Sequence, residues 1–290
     1  MICIQEYDNL NSMNSKIKYY LNIIDVKIKN NIILYRVPLL KNKRISKIRL
    51  KIISKKLIKK IKKNDENIVI LSNFLKKNTY IYDDILKNKI EIINGKRLFY
   101  FLVLDILDYI FRLKNEKIEQ KEITILINNF DYISKKIIFK IAQKVKKTRI
   151  ITNDINTCNN IEKELYDEYG ILIDISNNIE TSLINSKIIL NFDFSNSEIN
   201  NYKIFNKAII INLIGNIIIH SKRFNGININ HYQIDIPEKY KIDKFSNQDL
   251  YEGIVFNFNF EQVQDKIRED KIRIISLIGN RGVINKKEFY

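Results

Sequence analysis

The sequence contains few of the residues that break or cross-link a chain: its 290 residues include seven glycines, two prolines and two cysteines, and no tryptophan. Because breakers are scarce, element boundaries must be read from the spacing of apolar residues. Cys3 and Cys158 form no CxxC pair, and the two histidines form no HExxH motif. We therefore expect no structural disulfide and no metal site.

Long apolar segments are missing too. The two most apolar runs, residues 98–111 and 208–219, are interrupted by aspartates in the first and by asparagines and a glycine in the second. Both are shorter than the roughly 20 residues that a helix needs to cross a bilayer. The N-terminus lacks the basic start and apolar block of a signal peptide. The sequence predicts a cytoplasmic protein without a membrane span.

The charge is strongly one-sided. Lysine and arginine number 50 and aspartate and glutamate 33, which gives a net charge of +17. Residues 41–63 contain twelve of the basic residues and no acidic residue, so the rest of the chain is nearly balanced. Leu50, Ile53, Leu57 and Ile61 recur there at helical spacing, which predicts a helix with one apolar and one basic face. The lysines of the basic face are Lys51, Lys55, Lys56, Lys59, Lys60 and Lys63.

This basic helix has two interpretations. Lysine, isoleucine, asparagine, tyrosine and phenylalanine are all frequent, and AT-rich codons specify these residues. Codon bias alone would therefore give a solvated basic surface. In the second interpretation, the lysines bind the phosphates of RNA, DNA or an anionic lipid, or an acidic protein partner. No RNP, KH or zinc-finger signature accompanies the helix, which argues against sequence-specific recognition of nucleic acid.

Short apolar runs alternate with amphipathic segments through most of the chain. Residues 23–28 and 32–37 predict two strands joined in a hairpin at residues 29–31. This alternation indicates a parallel sheet covered on both faces by helices. The predicted fold class is α/β, with an N-terminal α/β domain followed by a Rossmann-like doubly wound parallel sheet. Strands of that sheet are expected at residues 123–127, 149–152, 171–175, 187–191 and 208–212, with a sixth strand or a hairpin arm at residues 217–219.

The same pattern divides the chain into four segments. Residues 1–95 form the N-terminal α/β domain, and residues 96–121 form a connecting helix and linker. Residues 122–240 form the Rossmann-like domain. Residues 241–290 contain helices and a strand, which we expect to pack back on the N-terminal domain.

A ligand crevice is expected where the first strand of the Rossmann-like domain ends. In doubly wound sheets a ligand binds at the carboxyl ends of the strands, at the point where the strand order reverses. That position corresponds to the turn Asn128-Asn129-Phe130-Asp131. Glycine is typical of such a turn, because a pyrophosphate must approach the backbone and the N-terminus of the next helix.

Residues 122–154 resemble the Rossmann domains of two-domain NAD(P)-binding proteins of the shikimate dehydrogenase, glutamyl-tRNA reductase and methylenetetrahydrofolate dehydrogenase type. In the last of these, a G-x-S-x-x-x-G pattern follows the first strand. Here Asn128 replaces the first glycine, Phe130 the serine and Ser134 the last glycine, so the glycine motif is degenerate. The resemblance implies a nucleotide-binding, dehydrogenase-like fold in which Asn128, Asn129 and Asp131 face the pyrophosphate of NAD or NADP.

The resemblance favours NAD over NADP. Asp154, beside Asn153, is the candidate for the acidic residue that contacts the ribose at the end of the second strand. Relatives that prefer NADP carry an Asn-Arg-Thr run there, whereas this chain reads Asn153-Asp154-Ile155 and lacks the arginine. In the alternative interpretation, Asn153 and Asp154 only cap the following turn. The resemblance also matches Asn191 to an asparagine at the nicotinamide side of the cleft.

No catalytic residue can be identified, since the chain contains neither a G-x-S-x-G elbow nor a Walker A motif. One hypothesis is a divergent NAD(P)-binding protein with a nucleotide or small molecule in the crevice. Another is a descendant that has lost catalysis and acts as an interaction or regulatory module. The third is a binder of nucleic acid or an acidic partner that uses residues 41–63. A homodimer is compatible with all three, and the sequence does not specify a substrate.

Overall fold

A computed structural model describes residues 1–29, 32–41, 43–64, 67–178, 180–220, 222 and 224–289, apart from the side chain of Lys29. The chain divides into two compact units. Unit 1 contains Met1–Gly95 and Ile236–Asn257, and unit 2 contains Lys96–Asp235 and Phe258–Tyr290. Residues 96–121 and 258–290 therefore group with the Rossmann-like half. The expected division at residues 95, 121 and 240, and the expected packing of residues 241–290 on the N-terminal domain, stay predictions.

Strands and helices alternate along the chain. The strands are β1 (Ile2–Glu6), β2 (Asp25–Lys29), β3 (Ile32–Val37), β4 (Ile68–Leu71), β5 (Glu91–Ile93), β6 (Glu122–Leu126), β7 (Lys147–Ile151), β8 (Asp174–Ser176), β9 (Ile188–Asn191), β10 (Ile209–Asn212), β11 (Ile227–Asp235), β12 (Arg273–Gly279) and β13 (Gly282–Val283). The helices are α1 (Met13–Tyr20), α2 (Lys47–Lys62), α3 (Asn73–Lys76), α4 (Thr79–Lys87), α5 (Lys96–Phe101), α6 (Val103–Lys114), α7 (Tyr132–Lys144), α8 (Ile155–Tyr169), α9 (Asn196–Asn200), α10 (Asn247–Val255) and α11 (Phe260–Glu269).

Within the described part of unit 1, the strands form one sheet in the order β2-β3-β1-β4-β5. β1 is parallel to β3 and β4, and β4 is parallel to β5. β2 is antiparallel to β3, which confirms the predicted hairpin, although its turn residues Asn30 and Asn31 lie outside the described residues. Ile53, Leu57 and Ile61 of α2 are fully buried in the core of this unit, so the predicted apolar face of the basic helix is confirmed.

In the described part of unit 2, eight strands form a sheet in the order β13-β12-β11-β10-β9-β6-β7-β8. The six strands from β6 to β11 pair in parallel with one another. Numbered by their appearance in the chain, they have the order 3-2-1-4-5-6 of a doubly wound Rossmann sheet. The predicted α/β fold class is confirmed. The strand expected within residues 241–290 is β12. Together with β13 it extends this sheet in antiparallel orientation, an arrangement that the sequence did not predict.

The sixth parallel strand lies later in the chain than expected. Residues 217–219 form no strand, because asparagine side chains take the backbone groups that a neighbouring strand would use. The Ile217 amide donates to Asn230 Oδ1 at 3.1 Å. The Ile217 carbonyl accepts hydrogen bonds from the side chains of Asn228 and Asn230, at 2.7 and 3.1 Å. Both asparagines belong to β11, which takes the place of the expected strand.

The predicted connecting helix is two helices. α5 ends at Phe101 and α6 begins at Val103, because the intervening Leu102 has φ −92° and ψ 3°, outside the helical region. Apolar side chains of both helices are buried, among them Leu98, Phe99 and Ile106. Of the helices that the structure describes, none combines the length and the apolar character that crossing a bilayer would require.

Both cysteines should be unreactive in the folded protein. Cys3 and Cys158 are free and fully buried, and burial raises the pKa of each thiol to about 12. Since the thiolate is the reactive form, only about one thiol in ten thousand is ionised at pH 8. We expect Ellman's reagent to modify no thiol in the native protein within an hour, and both thiols in guanidinium. Rapid native labelling of either cysteine would contradict this burial.

Candidate functional site

The carboxyl end of β6 lies at the reversal point of the sheet in unit 2. β6 is parallel to β7 on one side and to β9 on the other. The chain reaches β7 first, and the later strands β9 and β10 lie on the opposite side of β6. In open α/β sheets this arrangement leaves a crevice beyond the ends of the two central strands. The turn from Asn128 to Asp131 therefore occupies the position expected for a ligand site.

The turn needs no glycine. None of its residues has a positive φ, so a backbone without a left-handed residue connects β6 to α7. Asp131 is the N-cap of α7: its Oδ1 accepts from the Ser134 amide at 2.7 Å, and the Ser134 hydroxyl donates to the Asp131 carbonyl at 2.9 Å. Ser134 is buried, as close packing at this position requires. The turn therefore contains no left-handed position that would call for glycine, which explains why its sequence has none.

A carboxylate already holds the backbone amides of this turn. The Asn128 amide donates to both oxygens of Asp193, at 2.8 and 3.0 Å, and the Asn129 amide donates to Asp193 Oδ2 at 2.6 Å. Asp193 lies two residues beyond β9, on the other side of the reversal point. Paired backbone amides beside a helix N-terminus are the groups that bind phosphate in nucleotide sites. In this protein they form an anion site filled by an internal anion.

Asp193 is held by these amides rather than by a cation. Among the described residues, no lysine, arginine or histidine forms an ion pair with it. Burial raises the pKa of Asp193, while the hydrogen bonds from Asn129 and Asn128 lower it and the nearby charge of Glu198 raises it. Charge-assisted hydrogen bonds of this kind are stronger than neutral ones. The net effect is a raised pKa, so the amides offset only part of the cost of placing a carboxylate in a half-buried crevice.

Asn191 fixes the loop that carries Asp193. Its side chain is fully buried; Oδ1 accepts from the Phe194 amide at 2.8 Å, and Nδ2 donates to the Phe194 carbonyl at 2.9 Å and to Asn212 Oδ1 at 3.1 Å. On the other side of the loop, the Tyr100 hydroxyl donates to the Phe192 carbonyl. Burial raises the pKa of Tyr100, and the charges of Asp193 and Asp131 add to this effect. Asn191 thus positions the loop from within the core.

Asn128 joins the three loops that meet at this edge. Its Oδ1 accepts from the Asn153 amide at 2.9 Å, and its Nδ2 donates to Glu198 Oε1 at 3.3 Å. Asp154 is the N-cap of α8 and accepts from the Thr157 amide at 3.1 Å. Hydrogen bonding from the side chain and then from the amide of Thr157 lowers the pKa of the exposed Asp154 carboxyl. Asp154 is therefore ionised. It also caps α8, which is the structural role that the alternative interpretation of Asn153 and Asp154 gave it.

The structure brings most of the predicted site residues to one edge of the sheet. Asn128, Asn129, Asn153 and Asp154 lie in the turns after β6 and β7, whereas Asn191 is buried below them. Sequence reasoning missed three residues at this edge: Asp193, which holds the amides, Glu198, which contacts Asn128, and Tyr100. In the sequence, the only indication that Asp193 belongs to the site is its position as an acidic residue just beyond the fourth strand. Glu198 and Tyr100 come from helices whose sequences give no such signal.

In unit 1, the lysines of the predicted basic helix fall into two groups, of which only one lines a groove. Lys51, Lys55 and Lys59 line a groove of about 480 Å³ between α2 and α4, together with Lys62. Tyr80, Asp84 and Asn88 of the facing segment also line it. The remaining predicted lysines do not line this groove. Lys56 Nζ donates to the carbonyls of Leu21 and Asn22 at 3.3 and 3.1 Å, and Lys60 and Lys63 lie near the end of α2.

The side chains at these sites do not form a metal centre. Across the described residues, no group of three or more histidine, cysteine, aspartate or glutamate side chains is arranged to hold a metal ion. For a dinucleotide, the suitable elements are the amides of Asn128 and Asn129, the N-terminus of α7 and the carboxylate of Asp154. A pyrophosphate would need the two amides that Asp193 now holds.

The chain matches no protein-family model, and no curated protein is detectably similar to it in sequence. Among solved structures it is similar to L-tryptophan dehydrogenase from Nostoc punctiforme, at 8% identity over 92% of this chain and 78% of that chain, with a TM-score of 0.38. It is also similar to ornithine carbamoyltransferase from Pyrococcus furiosus, at 8% identity over 73% and 71% of the two chains, with a TM-score of 0.29. Likeness at this level does not identify a ligand or a reaction.

Proposed function

We propose that unit 2 binds a dinucleotide, NAD in preference to NADP, at the turn after β6, and that Asp193 must leave the two backbone amides before the pyrophosphate can enter. The observation that carries the proposal is the amide pair of Asn128 and Asn129, which binds an anion at the reversal point of a Rossmann-ordered sheet. The sequence resemblance to two-domain NAD(P)-binding proteins supports the same ligand class.

The proposal includes no catalytic residue. It describes a divergent, dehydrogenase-like nucleotide-binding protein in which the glycine motif has been replaced and an internal carboxylate competes with the ligand. Weak binding in the wild-type protein is the direct consequence, because the ligand must displace charge-assisted hydrogen bonds. A protein of this kind is suited to respond to high nucleotide concentration rather than to hold a cofactor permanently.

NAD should stabilise the protein more than NADP does. The ionised carboxylate of Asp154 would repel the 2′-phosphate of NADP, and no arginine follows it to compensate. We expect millimolar NAD to raise the melting temperature by about 2–4 °C, which corresponds to about 1 kcal/mol of added stability of the folded state, and the same concentration of NADP to raise it less. In Asp154→Asn the two ligands should give equal shifts.

Asparagine is the matched replacement for this test because it caps a helix as well as aspartate does, so the variant removes the charge and keeps the cap. A wild-type protein that responds to neither dinucleotide would overturn the proposal and favour a scaffold that serves only interactions. A larger NADP shift in the wild type would overturn the assigned preference.

The lysine groove of unit 1 supports a second candidate function, binding of nucleic acid or an acidic partner. Four lysines line the groove against a single carboxylate, that of Asp84, which already accepts a hydrogen bond from the Ser54 hydroxyl. Such an excess of positive charge in a concave surface attracts polyanions. The two functions differ in salt dependence, since binding to a nucleic acid backbone weakens steeply as the salt concentration rises.

A further inference from the structure

A cavity of unit 2 lies at the opposite edge of the sheet from the Asn128 turn. It has a volume of about 930 Å³ and is lined by the first residues of β6, β9, β10 and β11. The candidate nucleotide site lies at the carboxyl ends of the same strands, so the two sites are separated by the length of the strands. Cavities that bind small organic molecules have volumes of about 300–1,000 Å³. This cavity has the capacity for such a ligand.

The floor of the cavity is apolar. Ile188, Ile209 and Ile227 are neighbours in register on three adjacent strands, and Ile123 of β6 lies next in the same row. Phe205 and Phe289 also line the cavity. Ile123, Ile188 and Ile209 are almost fully buried, whereas Ile227 at the end of the row and Phe205 beside it are partly exposed and can contact a planar or apolar group of a ligand.

The rim of the cavity carries an excess of positive charge. Glu116 pairs with both Lys114 and Lys121, at 4.0 and 2.9 Å, and Asp174 pairs with both Lys147 and Arg149, at 2.7 and 3.4 Å. Each of these carboxylates is shared by two cations. The cationic residues that line the cavity are Lys114, Lys121, Lys147, Arg149, Lys187 and Lys207, and the acidic ones are Glu116, Glu122 and Glu288.

Lys187 and Lys207 are the cations available to a ligand. Both are exposed, and in the part of the chain that the structure describes neither has a carboxylate within ion-pairing distance. They lie just before two adjacent strands, β9 and β10: the Ile209 amide donates to the Lys187 carbonyl at 2.8 Å, which places Lys187 beside Ala208, the residue that follows Lys207. Two lysines without a carboxylate partner at the rim of this cavity favour an anionic ligand.

We propose that this cavity binds an organic phosphate with more than one phosphate group, its planar or apolar body at the end of the isoleucine row against Ile227 and Phe205, and its phosphates on Lys187 and Lys207. Lysine suits this role because its ammonium group is a compact charge with three rotatable donors. The low-dielectric floor strengthens the attraction between these charges and the phosphates. The proposal is independent of the dinucleotide site, which uses other residues at the other edge of the sheet.

Isothermal titration calorimetry with ATP as the probe tests this proposal. Two variants of equal charge change are compared with the wild type: Lys187→Gln/Lys207→Gln in the cavity, and Lys163→Gln/Lys203→Gln, which replaces two exposed lysines that do not line it. We expect the wild type to bind ATP and the first variant to bind it at least tenfold more weakly. The second variant should bind ATP as the wild type does.

The Asp193→Ala variant distinguishes ATP binding in this cavity from ATP binding at the Asn128 turn. ATP bound at the isoleucine row should have the same affinity in this variant, whereas ATP bound at the Asn128 turn should bind more tightly. Equal affinity of the wild type and the Lys187→Gln/Lys207→Gln variant would overturn the proposal. So would an equal loss of affinity in both lysine variants, because general charge attraction would then explain the binding.

Discussion

Replacing Asp193 with alanine should tighten NAD binding by about 10- to 100-fold. The substitution removes the carboxylate that accepts hydrogen bonds from the amides of Asn128 and Asn129, so the ligand no longer has to displace it. Hydrogen bonds to charged groups contribute about 1.5–3 kcal/mol, and about 1.4 kcal/mol corresponds to a tenfold change in affinity. Calorimetric titration of the variant and the wild type with NAD measures the difference.

Two further variants make this result specific. Asp193→Asn keeps the shape of the side chain and one acceptor oxygen, so its affinity should lie between those of the wild type and Asp193→Ala. Asp167→Ala removes one exposed acidic residue of α8 and should leave the affinity unchanged. If Asp193→Ala binds NAD no better than Asp167→Ala does, the internal carboxylate does not compete with the ligand.

Replacing Gly226 with alanine should destabilise unit 2 by about 3 kcal/mol, the upper end of what overpacking usually costs. A Cβ on this residue would overlap the carbonyl oxygen of Ala208 and lie 2.8 Å from the ring of Phe224. The Ala208 carbonyl also accepts the Ile227 amide at 2.9 Å, so the backbone cannot move away without losing a contact between β10 and β11. Denaturant unfolding followed by circular dichroism measures the loss.

Gly170→Ala is the matched control for this substitution. Gly170 ends α8 with φ +67°, and no atom lies within 4 Å of the position where its Cβ would be. Only the left-handed conformation opposes the alanine there, at about 1–2 kcal/mol. If Gly226→Ala and Gly170→Ala had the same free energy of unfolding, Gly226 would not approach the Ala208 carbonyl closely.

Three of the parallel strands of unit 2, β6, β9 and β10, could be predicted because each is a short apolar run, whereas β8 begins at Asp174, three residues later than expected. Strands buried on both faces are apolar throughout, and β9 and β10 match their expected positions within one residue. The position of β11 could not be predicted in this way. Its sequence carries asparagines whose side chains are buried in hydrogen bonds with Ile217 and Asn212, and these partners are known only once the chain has folded.

The sequence predicted where the candidate site lies in the sheet, but not which side chains interact with its backbone amides. The reversal point follows from the strand pattern, and Asn128 and Asp154 follow from their positions after two strands. The contact of Asp193 with the Asn128 amide joins residues 65 positions apart, and no local pattern indicates such a pair. Asn191 shows the same limit: its position suggested contact with a ligand, whereas its side chain is buried and holds the Asp193 loop.

The central claim is that a dinucleotide competes with Asp193 for two backbone amides, and nuclear magnetic resonance of the wild-type protein during titration with NAD tests it most directly. We expect the amide signals of Asn128 and Asn129 and the carboxyl carbon signal of Asp193 all to shift over the same range of NAD concentration. Binding of NAD that leaves these three signals unchanged would contradict the account.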